Sequence, residues 1–238
     1  MLLYYVRHGH PIYNPNQLTE LGLLQADAVG KRLAVHGMDK IYASTSNRAR
    51  QTAQPLCNLL RMEAEVLDWT NEDYAWNEMT VTYEDGRRTW AFGDPETRRR
   101  FNSREVRQLG REWYTHPAFA NTTFGQGITR IQREADAFME NLGYRHDLEN
   151  NCYYTEKDWD GRVALFAHEG FGAAFLSCIL DIPYPIFSTH SLMTHSGVTA
   201  IQFREKDGIV IPELLTYSND SHIYREGLPT KFRNEFFL

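Results

Sequence analysis

Short apolar runs alternate along the chain with longer stretches in which apolar residues recur every three or four positions. Residues 2–6 (LLYYV) and 162–168 (RVALFAH) are the clearest apolar runs, and KIYAS at 40–44 predicts another strand. Continuous apolar runs of this length are typical of parallel strands that are covered on both faces. Their alternation with helical segments predicts a three-layer α/β/α sandwich with a mostly parallel central sheet.

Four segments are predicted to be helices: three have the periodicity of helices that pack one apolar face against a sheet, and the segment at 170–180 is apolar enough to be a buried helix. Thr19 can N-cap the first of them, because its hydroxyl can accept a hydrogen bond from a backbone amide of the first turn. Pro55 lies inside the second and is expected to kink or restart it. The predicted apolar face of the first helix consists of Leu21, Leu24, Ala28 and Leu33. The other three helices are predicted at residues 48–60, 128–142 and 170–180.

The alternation is interrupted between residues 70 and 125, which are rich in Trp, Tyr and Arg. Before this segment, AEVLDW at 64–69 predicts a third strand. After it, GVTAIQFR and GIVIPELL predict two C-terminal strands, and the KDG turn at 206–208 indicates that they form a hairpin. We therefore predict one domain over residues 1–238, with a helical, cap-like insertion at about 73–125.

The composition is that of an ordinary globular protein and disfavours several functional classes. The net charge of −6 argues against nucleic-acid binding, which requires a basic surface. No apolar run approaches the roughly 20 residues that a membrane helix needs, and the N-terminus does not resemble a signal peptide. Cys57, Cys152 and Cys178 form no C-x-x-C pair, so they indicate neither a disulfide framework nor a zinc site. We expect a cytoplasmic protein without a metal or cofactor, and its oligomeric state stays open.

Two predicted strands end in histidine. Arg7 and His8 follow the first strand, and His168 follows the strand at 162–167. Ligands of such sheets bind at the carboxyl ends of the parallel strands. The two histidines, which are far apart in sequence, are therefore expected at the same edge of the sheet.

Four segments resemble the histidine phosphatase superfamily, also called the phosphoglycerate-mutase-like family. They are RHG at 7–9, LTELGLLQA at 18–26, YASTSNRARQTA at 42–53 and FAHEG at 166–170. RHG alone is a weak signal, but these segments follow one another in the order and context of the family. The resemblance covers most of the predicted sheet and leaves out the insertion.

The resemblance implies a role for each of several residues. His8 would be the nucleophile that forms a phosphohistidine, and His168 would be a second imidazole at the phosphate. Arg7 and Arg48 would grip the phosphate oxygens, because a planar guanidinium donates two parallel hydrogen bonds to such an anion. These two cations should also disfavour protonation of His8. Asn14 matches a position at which the family often has a phosphate-contacting Asn, in a loop that is compressed here.

The family supplies the proton for the leaving group from a carboxylic acid shortly after the third strand. Glu72 matches that position best. The family signature has a Gly two or three residues after the acid, and here Tyr74, Ala75 and Trp76 follow instead. Asp68 and Asp73 therefore stay open as alternatives. Glu169 is a further departure, since the family commonly has Gly after the second histidine. We expect its carboxylate to turn away from the phosphate or to bind a hydroxyl or amine of the substrate.

Two further histidines accompany this set. His10 stands where the family commonly has a small polar residue or Glu or Gln, and a direct contact with substrate is one interpretation of it. His195 precedes a predicted strand that should border the site, and a structural role is the simpler interpretation.

These observations predict a metal-independent, histidine acid-type phosphatase that hydrolyses a small phosphorylated metabolite through a phosphohistidine on His8. The first alternative is phosphoryl transfer of the phosphoglycerate-mutase type, although the extended signature typical of those mutases after RHG is absent. The second is a non-catalytic module that binds a phosphorylated ligand. Residues 87–111 hold eight Arg and three acidic residues. They suggest that the insertion draws in an anionic substrate.

Overall fold

The computed structural model describes residues 1–156 and 159–230, which form two compact units. The first unit comprises Met1–Asn71, Thr155–Glu169 and the described residues from Leu192 onward. The second comprises Glu72–Tyr154 and Gly170–Ser191. Among the described residues, no helix is both long enough and apolar enough to cross a membrane.

Strands and helices alternate through the N-terminal part of the chain. The strands are β1 (Leu2–Arg7), β2 (Pro11–Ile12), β3 (Gln17–Leu18), β4 (Lys40–Ser44), β5 (Glu65–Leu67), β6 (Thr80–Thr82), β7 (Arg88–Trp90), β8 (Tyr144–Asp147), β9 (Cys152–Thr155), β10 (Arg162–Ala167), β11 (Val198–Gln202), β12 (Glu205–Lys206), β13 (Ile209–Val210) and β14 (Glu213–Asn219). The α-helices are α1 (Glu20–Ala34), α2 (Asn47–Leu60), α3 (Glu72–Glu78), α4 (Pro95–Phe101), α5 (Arg104–Gln108), α6 (Phe124–Asn141), α7 (Glu169–Ile179), α8 (Tyr184–His190) and α9 (Ser221–Arg225). Short 3₁₀ helices lie at Asp68–Thr70, Gly110–Thr115 and Pro117–Phe119.

A six-stranded sheet with the order β14-β11-β1-β10-β4-β5 forms the centre of the first unit. The pairs β1–β10, β10–β4 and β4–β5 are parallel, whereas β11 is antiparallel to both of its neighbours. The prediction of an α/β fold with a mostly parallel central sheet flanked by helices is thus confirmed. In this register Arg7 lies opposite Ala167, so the chain segments after β1 and β10 leave the sheet side by side.

The central strands β1 and β10 are apolar because both of their faces are largely buried. Val6 and Phe166 pack with Val29 and Leu56 of the two flanking helices α1 and α2 in one core cluster. Leu3 and its neighbours on the opposite face of the pleat are also fully buried. A strand covered on both faces needs no polar alternation, which explains the continuous apolar runs of the sequence.

Helices α1 and α2 confirm most of the predicted helix signals. The side chain of Thr19 accepts a hydrogen bond from Gly22 N at 3.0 Å, as expected of an N-cap. The predicted apolar face of α1 is wrong at Leu24, which is 55% exposed, because the buried face runs through Gln25, Val29 and Leu33 instead. Pro55 lies within α2, which continues as one helix from Asn47 to Leu60.

The predicted C-terminal hairpin is wrong in its pairing. The KDG turn joins only β12 and β13, which are two residues each. Asp207 and Gly208 both have positive φ there, as a tight hairpin turn requires. The antiparallel partner of β11 in the central sheet is β14, which follows this small hairpin in the chain.

The second unit is built around aromatic side chains. Five rings that are each at least 95% buried contact one another with centroids between 5.2 and 6.1 Å apart: Phe101, Trp113, Phe119, Phe124 and Tyr184. Much of the aromatic content of the segment at 70–125 therefore forms a core. Large aromatic side chains bury much surface per residue, which suits a unit of short helices.

Candidate active site

The RHG segment is fixed by close backbone packing against α1. A Cβ atom on Gly9 would lie 2.6 Å from Gly22 O, and a Cβ on Gly22 would lie 2.3 Å from His10 O. Neither glycine can be given a side chain without moving the backbone opposite it. The RHG and LTELG segments are therefore packed directly against each other.

Polar side chains of the other motif residues hold the same loop. Gln25 Oε1 accepts a hydrogen bond from His10 N at 2.8 Å, and Gln51 Oε1 accepts one from Leu18 N at 2.8 Å. Thr52 Oγ1 accepts from Gly9 N at 3.0 Å and donates to Arg48 O at 2.7 Å. The polar residues around RHG and RARQTA therefore serve mainly to set the backbone from which the candidate site residues project.

His8 presents Nε2 as a hydrogen-bond acceptor. Its Nδ1 lies 2.8 Å from Gly9 O, which can only accept, so Nδ1 carries the proton of the neutral ring. Arg48 Nε donates to His8 Nε2 at 3.2 Å. The lone pair that would attack phosphorus is therefore on Nε2. This nitrogen faces the guanidinium of Arg48, a group that can also bind phosphate.

Burial and nearby cations keep His8 neutral. The residue is 1% exposed. Its pKa is well below the usual value of 6.5, first because burial removes the charged form from water and then because His168, Arg48 and Arg7 repel a further positive charge. A neutral imidazole at neutral pH is the protonation state that a nucleophile requires.

His168 lies beside His8 at the end of β10. The two ring centroids are 5.2 Å apart in an edge-to-face arrangement. His168 Nε2 lies 2.9 Å from Ser44 Oγ, and the Tyr5 hydroxyl donates to His168 O at 2.5 Å. Burial, followed by Arg48 and Arg7, also holds the pKa of His168 well below 6.5. The predicted convergence of the two histidines is therefore observed.

Arg7 is a buried cation with a carboxylate partner. Its Nη1 donates to Met193 O and lies 3.1 Å from Glu169 Oε2. Glu169 Oε1 in turn accepts a hydrogen bond from Met193 N at 3.3 Å. Glu169 thus does not turn away from the site but pairs with one of its two arginines.

Arg48 is held by an asparagine that the sequence interpretation did not select. Asn16 Oδ1 accepts hydrogen bonds from Arg48 Nη1 at 3.2 Å and Arg48 N at 3.3 Å, and from Ser46 Oγ at 3.1 Å. The ring of Tyr13 lies 5.3 Å from the Arg48 guanidinium carbon. Asn14, which precedes Asn16 by two residues, is exposed. Its role as a phosphate contact stays a prediction, whereas the side-chain contact with Arg48 comes from Asn16.

The backbone of His8 is supported by a strained residue. Ser196 has φ +59°, and its amide donates to His8 O at 3.1 Å. Ser196 Oγ lies 2.9 Å from His222 Nε2, and His222 Nδ1 accepts from Arg32 Nη1 at 3.3 Å. Because Arg32 can only donate, His222 carries its proton on Nε2 and donates to Ser196. Burial, then Arg32, lowers the pKa of His222 to about 3, so this chain of hydrogen bonds persists at acidic pH.

Two further imidazoles, those of His195 and His10, lie next to the ring of His8 in sequence of contact. The ring of His195 lies 5.8 Å from that of His8 and 5.3 Å from that of His10. His195 is fully buried, whereas His10 is half-buried and has Nδ1 3.0 Å from Thr19 Oγ1. These contacts suit a packing role for both rings.

The three candidate acids are divided between the units. Asp68 is exposed and begins a 3₁₀ helix of the first unit. Glu72 and Asp73 begin α3 of the second unit, where Glu72 Oε1 accepts a hydrogen bond from Gly170 N at 2.9 Å. Glu72 is half-buried and Asp73 is exposed. The choice of proton donor stays a prediction.

The first unit therefore joins two neutral imidazoles and two guanidiniums at one sheet edge: His8, His168, Arg7 and Arg48. The two guanidiniums suit the oxygens of a tetrahedral anion. Sequence interpretation missed Asn16, Ser44 and the carbonyl of Met193. A signal existed for Ser44, which ends the strand next to β10, but a main-chain carbonyl leaves no trace in sequence.

A family model described as the histidine phosphatase superfamily (branch 1) matches residues 3–211. No curated protein sequence matches the chain.

Several solved structures share the fold at low sequence identity. A structure titled mycobacterial hydrolase 1 is 20% identical, with a TM-score of 0.60, and the match covers 92% of this chain and 98% of that one. A phosphoserine phosphatase variant from Entamoeba histolytica in complex with phosphoserine is 17% identical, with a TM-score of 0.59 and coverage of 93% and 98%. A mycobacterial glucosyl-3-phosphoglycerate phosphatase with VO3 is 20% identical, with a TM-score of 0.59 and coverage of 91% and 98%.

Proposed function

The chain belongs to the histidine phosphatase superfamily, and from that premise we propose that it hydrolyses a small phosphorylated metabolite through a phosphohistidine on His8, without a metal ion. The observation that carries this proposal is the state of His8. Its Nε2 is an unprotonated acceptor beside Arg48, in a ring that burial and neighbouring cations keep neutral.

In the proposed first step, His8 Nε2 attacks phosphorus and the bond from phosphorus to the ester oxygen breaks. Arg7, Arg48 and His168 bind the oxygens of the transferring phosphoryl group, where negative charge must be neutralised. The leaving oxygen takes a proton from a carboxylic acid, for which Glu72 is the proposed donor, with Asp68 and Asp73 as alternatives. In the second step the same acid removes a proton from water, which attacks the phosphohistidine and releases inorganic phosphate.

The proposed substrate class is a phosphomonoester of a small polar metabolite. Support comes from solved structures of similar fold, which include phosphoserine phosphatase in complex with phosphoserine and with 3-phosphoglyceric acid. The three cysteines are all free thiols and all buried, which supports the further proposal of a reducing, cytoplasmic setting.

The test is release of inorganic phosphate from an aryl phosphate and from a panel of phosphorylated metabolites, in buffer with EDTA. We expect turnover by the wild-type protein, and loss of at least a thousandfold in His8→Asn. His36→Asn, in which an exposed histidine is replaced, is the control for the loss of an imidazole. Binding without turnover would favour the non-catalytic module, and isomerisation of 3-phosphoglycerate without phosphate release would favour the mutase.

Glu72→Gln separates proton donation from structure. The amide retains an oxygen that can accept from Gly170 N, but it has no proton to give. General acid catalysis contributes roughly 10²–10⁴-fold, so we expect a loss of that size for alkyl phosphates and a small loss for aryl phosphates, whose leaving group needs no proton. If Asp68→Asn or Asp73→Asn shows this pattern instead, the proton donor is that residue.

A further inference from the structure

Glu169 places a negative charge inside a group of residues that otherwise suits an anion. Its Oε2 lies 3.1 Å from Arg7 Nη1, and the exposed fractions of the two side chains are 17% and 6%. The backbone of Met193 holds both members of the pair. Its amide donates to Glu169 Oε1, and its carbonyl oxygen accepts from Arg7 Nη1. The carboxylate is therefore held in position by contacts that do not depend on a ligand.

Arg7 is buried, and its guanidinium pairs with the carboxylate of Glu169. A buried cation is costly unless it is paired, so Glu169 stabilises the substrate-free protein. A phosphate that binds Arg7 must share it with this carboxylate and must approach the carboxylate's charge.

We propose that Glu169 is a built-in competitor of phosphate: an internal anion that occupies Arg7 and lowers the affinity of the site for the product, inorganic phosphate. The inference rests on the proposed function, because it takes Arg7 as a phosphate ligand. It assigns Glu169 a role in product release and substrate affinity, separate from the chemical steps on His8. Weak binding of the product favours turnover, since tight product binding lowers the rate of release.

The experiment measures binding of inorganic phosphate by calorimetry at constant ionic strength. We expect Glu169→Gln to bind phosphate about tenfold more tightly than the wild type, a difference of about 1.4 kcal/mol. The same factor should appear as a lower product-inhibition constant in the phosphatase assay. Glu169→Asp retains the charge and should stay within about threefold of the wild type. Glu63→Gln removes one exposed carboxylate of the same unit and should leave the affinity unchanged, which controls for net charge.

Thermal unfolding gives a second readout that needs no turnover. Without phosphate, Glu169→Gln should unfold at a lower temperature than the wild type, because Arg7 loses its ionic partner. Phosphate should raise its Tm by more than it raises that of the wild type, since a ligand that binds only the folded state stabilises it in proportion to affinity. Glu169→Gly serves as a second variant without the carboxylate if Glu169→Gln does not fold.

The outcomes distinguish this inference from the proposed function. Equal or weaker phosphate binding by the variants without the carboxylate overturns the role of Glu169 and leaves the phosphatase proposal intact. If neither the wild type nor these variants bind phosphate, both the proposed phosphate site and the inference are overturned.

Discussion

At the scale of single residues, the site depends on imidazoles that stay neutral. Burial is the largest cause of the low pKa of His8 and His168, and the neighbouring arginines add to it. Both rings are therefore expected to remain unprotonated through the range in which an ordinary histidine titrates.

NMR titration of the two imidazoles tests this protonation state without reference to catalysis. We expect the ring signals of His8 and His168 to keep the chemical shifts of neutral histidine as the pH falls from 8 to well below 6.5. In the denaturant-unfolded protein, both should titrate near the ordinary value of about 6.5. A midpoint of the His8 ring near 6.5 in the folded protein would contradict the proposed nucleophile.

The position of Arg48 depends on Asn16. Three hydrogen bonds converge on Asn16 Oδ1, two of them from Arg48. Asn16→Ala should allow the Arg48 guanidinium to move. We expect KM to rise about tenfold, which corresponds to a loss of about 1.4 kcal/mol in substrate binding. Asn14→Ala is the matched control, since Asn14 is exposed and lies in the same loop. The prediction fails if Asn14→Ala has the larger effect in steady-state kinetics.

The motifs predicted four residues of the candidate site, and the spacing of these motifs depends on backbone packing. His8, Arg7, Arg48 and His168 stand at strand ends or at the start of a helix, where chain order predicts position. Asn16 was missed because the register of a short loop is not encoded by periodicity. The β2–β3 hairpin, in which Ile12 pairs with Gln17, sets that register.

At the scale of elements, α6, β8 and the turn that follows α7 meet in the second unit at a histidine whose side chain is buried. His146 of β8 has Nδ1 2.7 Å from Asp136 Oδ1 and Nε2 3.1 Å from Asp181 Oδ2, and its ring stacks on Tyr153 with centroids 4.0 Å apart. Burial alone would lower the pKa of His146, but hydrogen bonds and attraction from the two carboxylates raise it above 6.5 overall.

This raised pKa predicts how the stability of the protein depends on pH. The folded state holds the proton on His146 more tightly than the unfolded state does, so the contribution is fully present below pH 6.5. It is lost as the pH rises through the higher pKa of the folded state. Chemical denaturation of wild type and His146→Asn should thus show a difference in unfolding free energy that is largest at pH 6 and smaller at pH 9. A difference that grows with pH would contradict the account.

Strands and helices were predicted well where the local sequence pattern determines them. The runs LLYYV and RVALFAH form central strands because both faces are buried, and Thr19 caps α1 as expected. The exposed position of Leu24 and the partner of β11 were missed for one reason. Each depends on which element is the neighbour in the folded chain, and local pattern contains no information on that choice.

At the scale of the whole molecule, the second unit is larger than the predicted insertion. It extends from Glu72 to Tyr154 and also includes Gly170–Ser191. The sequence pattern at 128–142 is that of an ordinary amphipathic helix, so nothing in it assigns the helix to one unit or the other. The prediction of a cap remains a prediction.

The Arg-rich segment of this unit allows a test of electrostatic attraction. Arg99 and Arg100 are exposed and pair with Glu96, while Arg98 donates to Thr189 O at 3.2 Å. If the segment attracts an anionic substrate, then Arg98→Gln, Arg99→Gln and Arg100→Gln together should lower kcat/KM about three- to tenfold at low ionic strength.

The effect should fade as salt is added. A control variant with Gln at three exposed cations of the first unit, namely Lys40, Arg61 and Lys206, makes the same change in net charge. An unchanged kcat/KM with unchanged salt dependence in the triple variant would end the hypothesis of attraction.

In the proposed reaction, His8 Nε2 carries the phosphoryl group between substrate and water. The most direct measurement is rapid chemical quench of the protein with ³²P-labelled aryl phosphate, followed by mapping of the labelled peptide. We expect a label on His8 that is stable to alkali and labile to acid, and that is absent from His8→Asn. Phosphate release without any labelled His8, or with the label on another residue, would contradict it.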